Sequence, residues 1–176
     1  MRPEGLIDLN EAVQHPGTTL TYELESDLVD EEDLDLVGPV SGTLEASSTG
    51  SVLFLQGEFK AECVMECSRC GEPLRQSVEY RVYDEFEVKG TPSGFGSGEF
   101  AVVTEEEEFP LFEQNSLRCD PYLRQGLLVN MPAQPLCEYG WDGPCPNAKD
   151  EYYETPVEGH PAMQKLKRLV QPTENE

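Results

Sequence analysis

Four cysteines combine a reactive residue type with a spacing that carries chemistry. Two residues separate Cys67 from Cys70, and seven separate Cys137 from Cys145. Structural Zn²⁺ takes four soft ligands in a tetrahedron, and a Cys-x-x-Cys turn offers two thiolates on one side because the two intervening residues let both sulfurs face inward. The second pair is spaced more widely than a standard knuckle. Two readings therefore stand open. Either Cys67, Cys70, Cys137 and Cys145 hold zinc together, or they are unmetallated thiols and the Cys-x-x-Cys stabilises a turn through packing and local hydrogen bonds. Cys63 lies on the apolar side of a strand pattern and Cys119 just precedes a helix start. Both read as core, since a free cysteine behaves as a small buried hydrophobe.

Other chemistries fit less well. A thiol redox or zinc-dependent enzyme built on Cys67 and Cys70 is the alternative from another class. Dithiol redox chemistry wants its Cys-x-x-Cys at a helix N-terminus, where the dipole lowers the thiol pKa. Here Gly71-Glu72-Pro73 follows and opens no apolar-periodic helix. His15 and His160 both sit beside prolines, and no Gly-x-Ser-x-Gly or Gly-rich phosphate loop occurs. With 35 acids in the chain some carboxylates meet by chance, so pairing alone is no sign of acid–base catalysis. No small-molecule substrate is evident. The basic side chains that could contact a partner are Arg69 and Arg75 near the Cys-x-x-Cys, and Lys165, Lys167 and Arg168 in the one dense basic cluster.

The elements that must position these residues are mostly strands. Residues 6–9 and 18–24 read as short strands, with Thr18, Leu20, Tyr22 and Leu24 on one face. From about 36 to 88 the pattern is strongly β. Phe59, Ala61, Cys63 and Met65 alternate with Lys60, Glu62 and Glu66, and Val78, Tyr80 and Val82 alternate with Glu79, Arg81 and Tyr83. Two such runs joined by a short Gly/Pro turn make an antiparallel hairpin with the Cys-x-x-Cys at its tip. Residues 90–98 are a Gly-rich loop. Asp120 and Pro121 suit the N-cap and first position of a helix that carries Leu123, Leu127 and Leu128 and stops near Asn130, before Pro132. Pro161 opens a short basic helix in the tail. The acidic runs 23–35 and 105–108 read as solvated segments.

Composition bounds the function. Lys plus Arg is 12 and Asp plus Glu is 35, so the formal charge is 12 − 35 = −23. Tight general binding to a phosphate backbone needs Lys and Arg to displace counterions. A charge this negative opposes that mode and favours basic partners. The longest apolar runs, such as Val52-Leu53-Phe54-Leu55, are far shorter than the roughly 20 residues of a spanning helix. The first residues, Met1-Arg2-Pro3-Glu4-Gly5, carry no apolar h-region. The expectation is a cytoplasmic protein with no membrane partner and with reduced or metal-bound cysteines.

Several landmarks, in order, resemble the YceD family, the bacterial large-ribosomal-RNA-subunit accumulation proteins. They are Gly57-Glu58-Phe59, Cys67-Ser68-Arg69-Cys70, the Leu-rich helix running into Met131-Pro132-Ala133-Gln134-Pro135-Leu136-Cys137, Gly143-Pro144-Cys145-Pro146, and the basic end from His160 to Arg168. Many members carry four tail cysteines spaced like a zinc knuckle, and here two of those places are Trp141 and Ala148. A composite site with Cys67 and Cys70 then requires the fold to bring the tail to the hairpin. Gly71 stands where members tend to have Leu. The resemblance implies a non-enzymatic ribosome biogenesis factor that supports accumulation or processing of 23S rRNA. Its partner would be the large-subunit rRNA precursor or a basic ribosomal protein.

The expected fold is α+β: a mainly antiparallel sheet with one principal helix and a short C-terminal helix. Residues 1–145 form one domain and 146–176 a polar tail. Replacing Cys67 and Cys70 together by Ser separates the two function classes. An enzyme built on them loses its turnover outright. A structural role instead lowers stability, read as a fall in thermal midpoint or soluble yield, because a structural zinc contributes folding energy directly.

Overall fold

The computed structural model describes residues 5–28, 34–93, 100–105 and 109–148. The chain order is β1 (Leu6–Asp8), α1 (Asn10–Gln14), β2 (Thr19–Ser26), β3 (Val40–Ser48), β4 (Val52–Glu66), β5 (Pro73–Lys89), β6 (Val102–Thr104), β7 (Phe112–Glu113), β8 (Ser116–Arg118) and α2 (Cys119–Asn130). A five-stranded antiparallel sheet runs β2-β3-β4-β5-β6, and a small sheet runs β1-β8-β7. Both follow from period-2 patterning. On β4, Leu53, Leu55, Phe59, Ala61 and Cys63 are buried, while Gln56, Glu58, Lys60 and Glu62 are exposed. β4 and β5 pair without a bulge from Val52↔Glu87 to Glu66↔Pro73.

The core lies between the apolar face of the large sheet and a cover made of α1, α2 and the small sheet. Leu9, Leu44, Leu53, Leu55, Leu117, Leu123 and Leu127 are its largest fully buried side chains. α2 sits against β5. The Tyr80 hydroxyl donates to the Leu123 carbonyl at 3.0 Å, and the Tyr122 hydroxyl donates to Asp84 Oδ2 at 2.9 Å. Burial, and for Tyr122 also the Asp84 charge, pushes both phenols up, so they remain neutral donors. A Cβ on Gly126 would come within 2.8 Å of the Tyr80 ring, so only glycine lets the helix approach this closely.

The expected α+β class with a principal and a C-terminal helix is corrected. Strand accounts for 48% and helix for 14% of the described residues, so the fold is mainly β. Only α2 has any length, and the second helix is α1, near the N-terminus. At five residues α1 is too short to show a 3.6-residue period. It forms because Ala12 and Val13 plug the core and Asp8 Oδ1 accepts the Asn10 N–H at 2.9 Å. The basic helix expected from Pro161 lies outside the described residues, as do 29–33 and 106–108 of the acidic runs. The first of those runs starts inside β2, where Glu23 and Glu25 are exposed strand residues rather than loop.

Two details of α2 also differ. Arg118, not Asp120, occupies the N-cap position, and no side chain caps the helix. Asp120 sits in the first turn, where its Oδ1 accepts the Ser26 hydroxyl at 2.6 Å. Leu128 is 38% exposed and leaves the apolar stripe of Leu123 and Leu127. The helix ends at Asn130 as expected, with Met131 extended ahead of Pro132.

Phe59 explains its glycine neighbours. Its ring lies over Gly57 on the same strand and Gly42 on β3, and it packs on Tyr80 with ring centroids 5.5 Å apart. A Cβ on Gly57 would stand 2.6 Å from Phe59 Cε2 and 2.8 Å from the Thr43 carbonyl. Gly57→Ala therefore overpacks this layer and should cost about 1–3 kcal/mol. Urea denaturation should show the loss. Combining it with Phe59→Leu should cost less than the sum of the two single changes, because the clash then loses one partner.

Candidate metal centre

The hairpin turn after β4 is closed by its own backbone. Cys67 N–H donates to the Glu72 carbonyl and Gly71 N–H to the Cys67 carbonyl, both at 2.9 Å. Gly71 has φ +75°, the left-handed region that favours glycine. After α2 the chain bends between Met131 and Gln134 and returns to this tip. There Ser68 N–H donates to the Pro135 carbonyl at 2.8 Å. The following loop is also closed by its own backbone, with the glycine one residue nearer to its cysteine than in the first turn. Gly140 has φ +57°, its N–H donates to the Cys137 carbonyl at 3.0 Å, and Gly143 N–H donates to the Tyr139 carbonyl at 2.9 Å. A side chain on Gly143 would run into the Tyr139 backbone.

Arg69 locks the two loops together. Its Nη1 donates to the Gly140 carbonyl at 3.0 Å and to the Gly143 carbonyl at 2.7 Å. The result is a cluster of sulfurs. One ligand atom from each of Cys67, Cys70 and Cys137 lies within 4.8 Å of the others, and Cys137 Sγ is 3.9 Å from Cys145 Sγ. Tetrahedral zinc with Zn–S bonds of about 2.3 Å sets its sulfurs about 3.8 Å apart, so the three mutually close thiols could hold a metal ion, while Cys145 approaches through Cys137 and stands outside that group of three. Cys67 and Cys145 are 2% and 8% exposed.

The thiols divide into two kinds. The Cys67 thiol is pulled down to about 6 because its sulfur faces the N–H groups of Cys70, Arg69 and Cys137. At Cys145 burial pushes upward, but the N–H of Asn147 and the neighbouring thiols outweigh it, and the net direction is down. At Cys70 the Glu72 N–H favours the thiolate. Burial and the Cys67 and Cys145 sulfurs overcome it, and the thiol rises to about 11. Cys137 also rises, its Tyr139 N–H being outweighed by burial and by the same neighbours. Cys67 and Cys145 thus favour the thiolate while Cys70 and Cys137 favour the thiol, a set that a bound soft dication would draw toward thiolates.

Cys63 and Cys119 stay in the core, 1% and 6% exposed, and burial raises both thiols. Arg75 is exposed on β5. Lys165, Lys167 and Arg168 lie outside the described residues. The internal role of Arg69 and the part played by Gly140 and Gly143 were not read from the sequence. A glycine soon after each cysteine, Gly71 after Cys67 and Gly140 after Cys137, was the available signal.

One family matches this chain, described as Large ribosomal RNA subunit accumulation protein YceD, and it covers residues 55–170. The chain belongs to the YceD family. The matched span takes in most of the β4–β5 hairpin, α2 and all four clustered cysteines, and leaves β1 to β3 outside. The YceD description names the accumulation of an RNA rather than a reaction. No curated protein and no solved structure matches the chain. No helix among the described residues is long and apolar enough to cross a membrane.

Arg69→Ala should release the second loop from the first. Hydrogen bonds from a charged group are each worth about 1.5–3 kcal/mol, so the urea midpoint should fall measurably. The exchange of the Gly140, Gly143 and Cys145 amides should accelerate far more than that of the β4 amides.

Proposed function

We propose that this protein is a biogenesis factor for the large ribosomal subunit, supporting accumulation and processing of 23S rRNA by binding rather than by catalysis. The observation that carries the reading is the YceD match across the hairpin, α2 and the cysteine cluster. Cys67, Cys70, Cys137 and Cys145 would hold one Zn²⁺ as a structural ion, whose chemistry is to tie the returning chain to the hairpin tip. The burial of Cys67 argues against the alternative of a thiol redox enzyme, because the sulfur with the lowest pKa is the one an external disulfide reaches least.

The partner we favour is a basic ribosomal protein. The uncovered face of the large sheet carries Glu23, Glu25, Glu45, Glu58, Glu62 and Glu79 as exposed residues. Two of its cations are engaged, Arg81 Nε lying 2.8 Å from Glu58 and Lys60 Nζ 3.8 Å from Glu79, while Arg75 is exposed toward the hairpin tip. Such a face attracts cationic segments and repels phosphates. In this reading it shields the basic protein until rRNA displaces it.

Deleting the gene should selectively lower the ratio of large- to small-subunit rRNA, with unprocessed 23S ends, and the wild-type gene should restore both. An unchanged ratio in slow and fast growth would remove the proposal. Purified protein should contain about one zinc per chain. Cys→Ser at 67, 70, 137 or 145 should lower that content and the thermal midpoint, whereas Cys63→Ser should leave the zinc in place. Salt-sensitive binding to isolated ribosomal proteins is expected. Steep salt dependence with rRNA fragments alone, lost on neutralising Arg75, Lys165, Lys167 and Arg168, would instead favour direct RNA contact.

A further inference from the structure

The outer side of β5 is largely unpaired. β5 has 17 residues, but β6 covers only Glu87, Val88 and Lys89. Among the described residues no strand pairs with that side from Pro73 to Phe86. The Val88 N–H donates to the Ser51 carbonyl at 2.9 Å, which sets the phase of the ladder. Even-numbered residues of β5 bond to β4, so odd-numbered residues from Arg75 to Glu85 direct N–H and C=O outward. A row of this kind is a template for another strand.

Beside it, a groove of about 710 Å³ runs between β5 and α2, lined by Val82, Phe86, Phe109, Leu111, Tyr122 and Val129. Phe109 and Val129 are 83% and 79% exposed. The charge here is one-sided. Arg81 is held by Glu58 and Lys89 by Glu87, while the ion pairs among the described residues leave Asp84, Glu85 and Glu105 without a cation.

We infer that the free edge of β5 takes an extended, basic polypeptide segment of a partner protein by strand addition. Main-chain hydrogen bonds to Ser77 through Glu85 supply register. Alternate apolar side chains enter the groove against α2, where Asp84 and Glu105 favour nearby cations, and the intervening basic side chains lie over Glu85 on the open face. A second copy of this chain fits the same edge geometrically, but two chains of charge −23 repel. The inference rests on the reading that the protein acts by binding a basic ribosomal protein, and it supplies the place and mode.

The test uses the ¹⁵N-labelled full chain and two peptides about nine residues long, one alternating Lys with Val and one alternating Glu with Val. With the Lys–Val peptide, the amides of Ser77, Glu79, Arg81, Tyr83 and Glu85 should exchange about tenfold more slowly, as new hydrogen bonds form, and with Glu–Val they should not change. Tyr83→Pro removes one outward donor and leaves the β4 ladder intact, and should weaken binding about tenfold. Val129→Lys places a cation in the groove on an exposed helix position, and should weaken it without altering the fold. Four results overturn the inference: no protection at millimolar Lys–Val, equal protection by Glu–Val, protection already present in the free monomer, as when residues 149–176 fill the edge, or protection accompanied by a doubled mass. Each of these leaves the rRNA phenotype untouched, and a missing phenotype with intact peptide docking sinks only the biogenesis reading.

Discussion

The uninterrupted β4–β5 ladder is the constraint on which the rest of the structure depends. It reaches farther than the sheet around it. β3 pairs with β4 only from Ser41↔Lys60 to Ser48↔Leu53, so the hairpin beyond Ala61 is a two-stranded ribbon. An isolated ribbon of that kind is marginal in water. Several contacts hold it. Val37 N–H donates to the Glu62 carbonyl and Val64 N–H to the Asp35 carbonyl, both at 2.8 Å, along its β4 side. At its tip the returning chain after α2 closes the cysteine cluster through Arg69. The cluster is therefore a fastening for the overhang as much as a candidate ligand set.

The same ladder separates two surfaces. The sulfur cluster sits at the closed end of the hairpin, and Tyr83, beside the groove, lies ten residues along β5 from Pro73, about 33 Å at the usual rise per residue. One end is tied by buried thiols and a half-buried guanidinium. The other shows bare backbone, apolar side chains and unmatched carboxylates. One fold can keep both because the stiff paired strands between them let the fastened end stabilise the hairpin while, among the described residues, most of the outer edge of β5 pairs with no strand. The strongly acidic surface also guards that edge, since like charge discourages copies of the chain from pairing edge to edge.

Much of the fold was legible because it depends on local period. The hairpin, its tip at the Cys-x-x-Cys and the stop of α2 before Pro132 follow from alternation, turn residues and the restriction proline places on the residue before it. What escaped depends on partners distant in sequence. α1 is helical because Ala12 and Val13 find a core, not because five residues carry a helical signal. Leu128 reads as apolar stripe, yet among the described residues it is left 38% exposed. Asp120 reads as a cap, but the Cys119 N–H already donates to the Gly5 carbonyl at 2.7 Å, and the helix begins two residues earlier.

For the site, the sequence by itself determined which residues have the right chemistry: four thiols, one pair in a turn that faces both sulfurs inward, in a chain too acidic for general phosphate binding. It could not determine that Cys137 and Cys145 meet Cys67 and Cys70, because spacing along a chain says nothing about where a helix and two prolines return it. Only the tertiary structure decided that, by carrying the chain back over the hairpin and seating two loop carbonyls on Arg69. It also decided that, among the described residues, no strand pairs with most of the outer side of β5. Side-chain alternation reports the two faces of a strand, whereas its two edges differ only in which backbone groups find a partner.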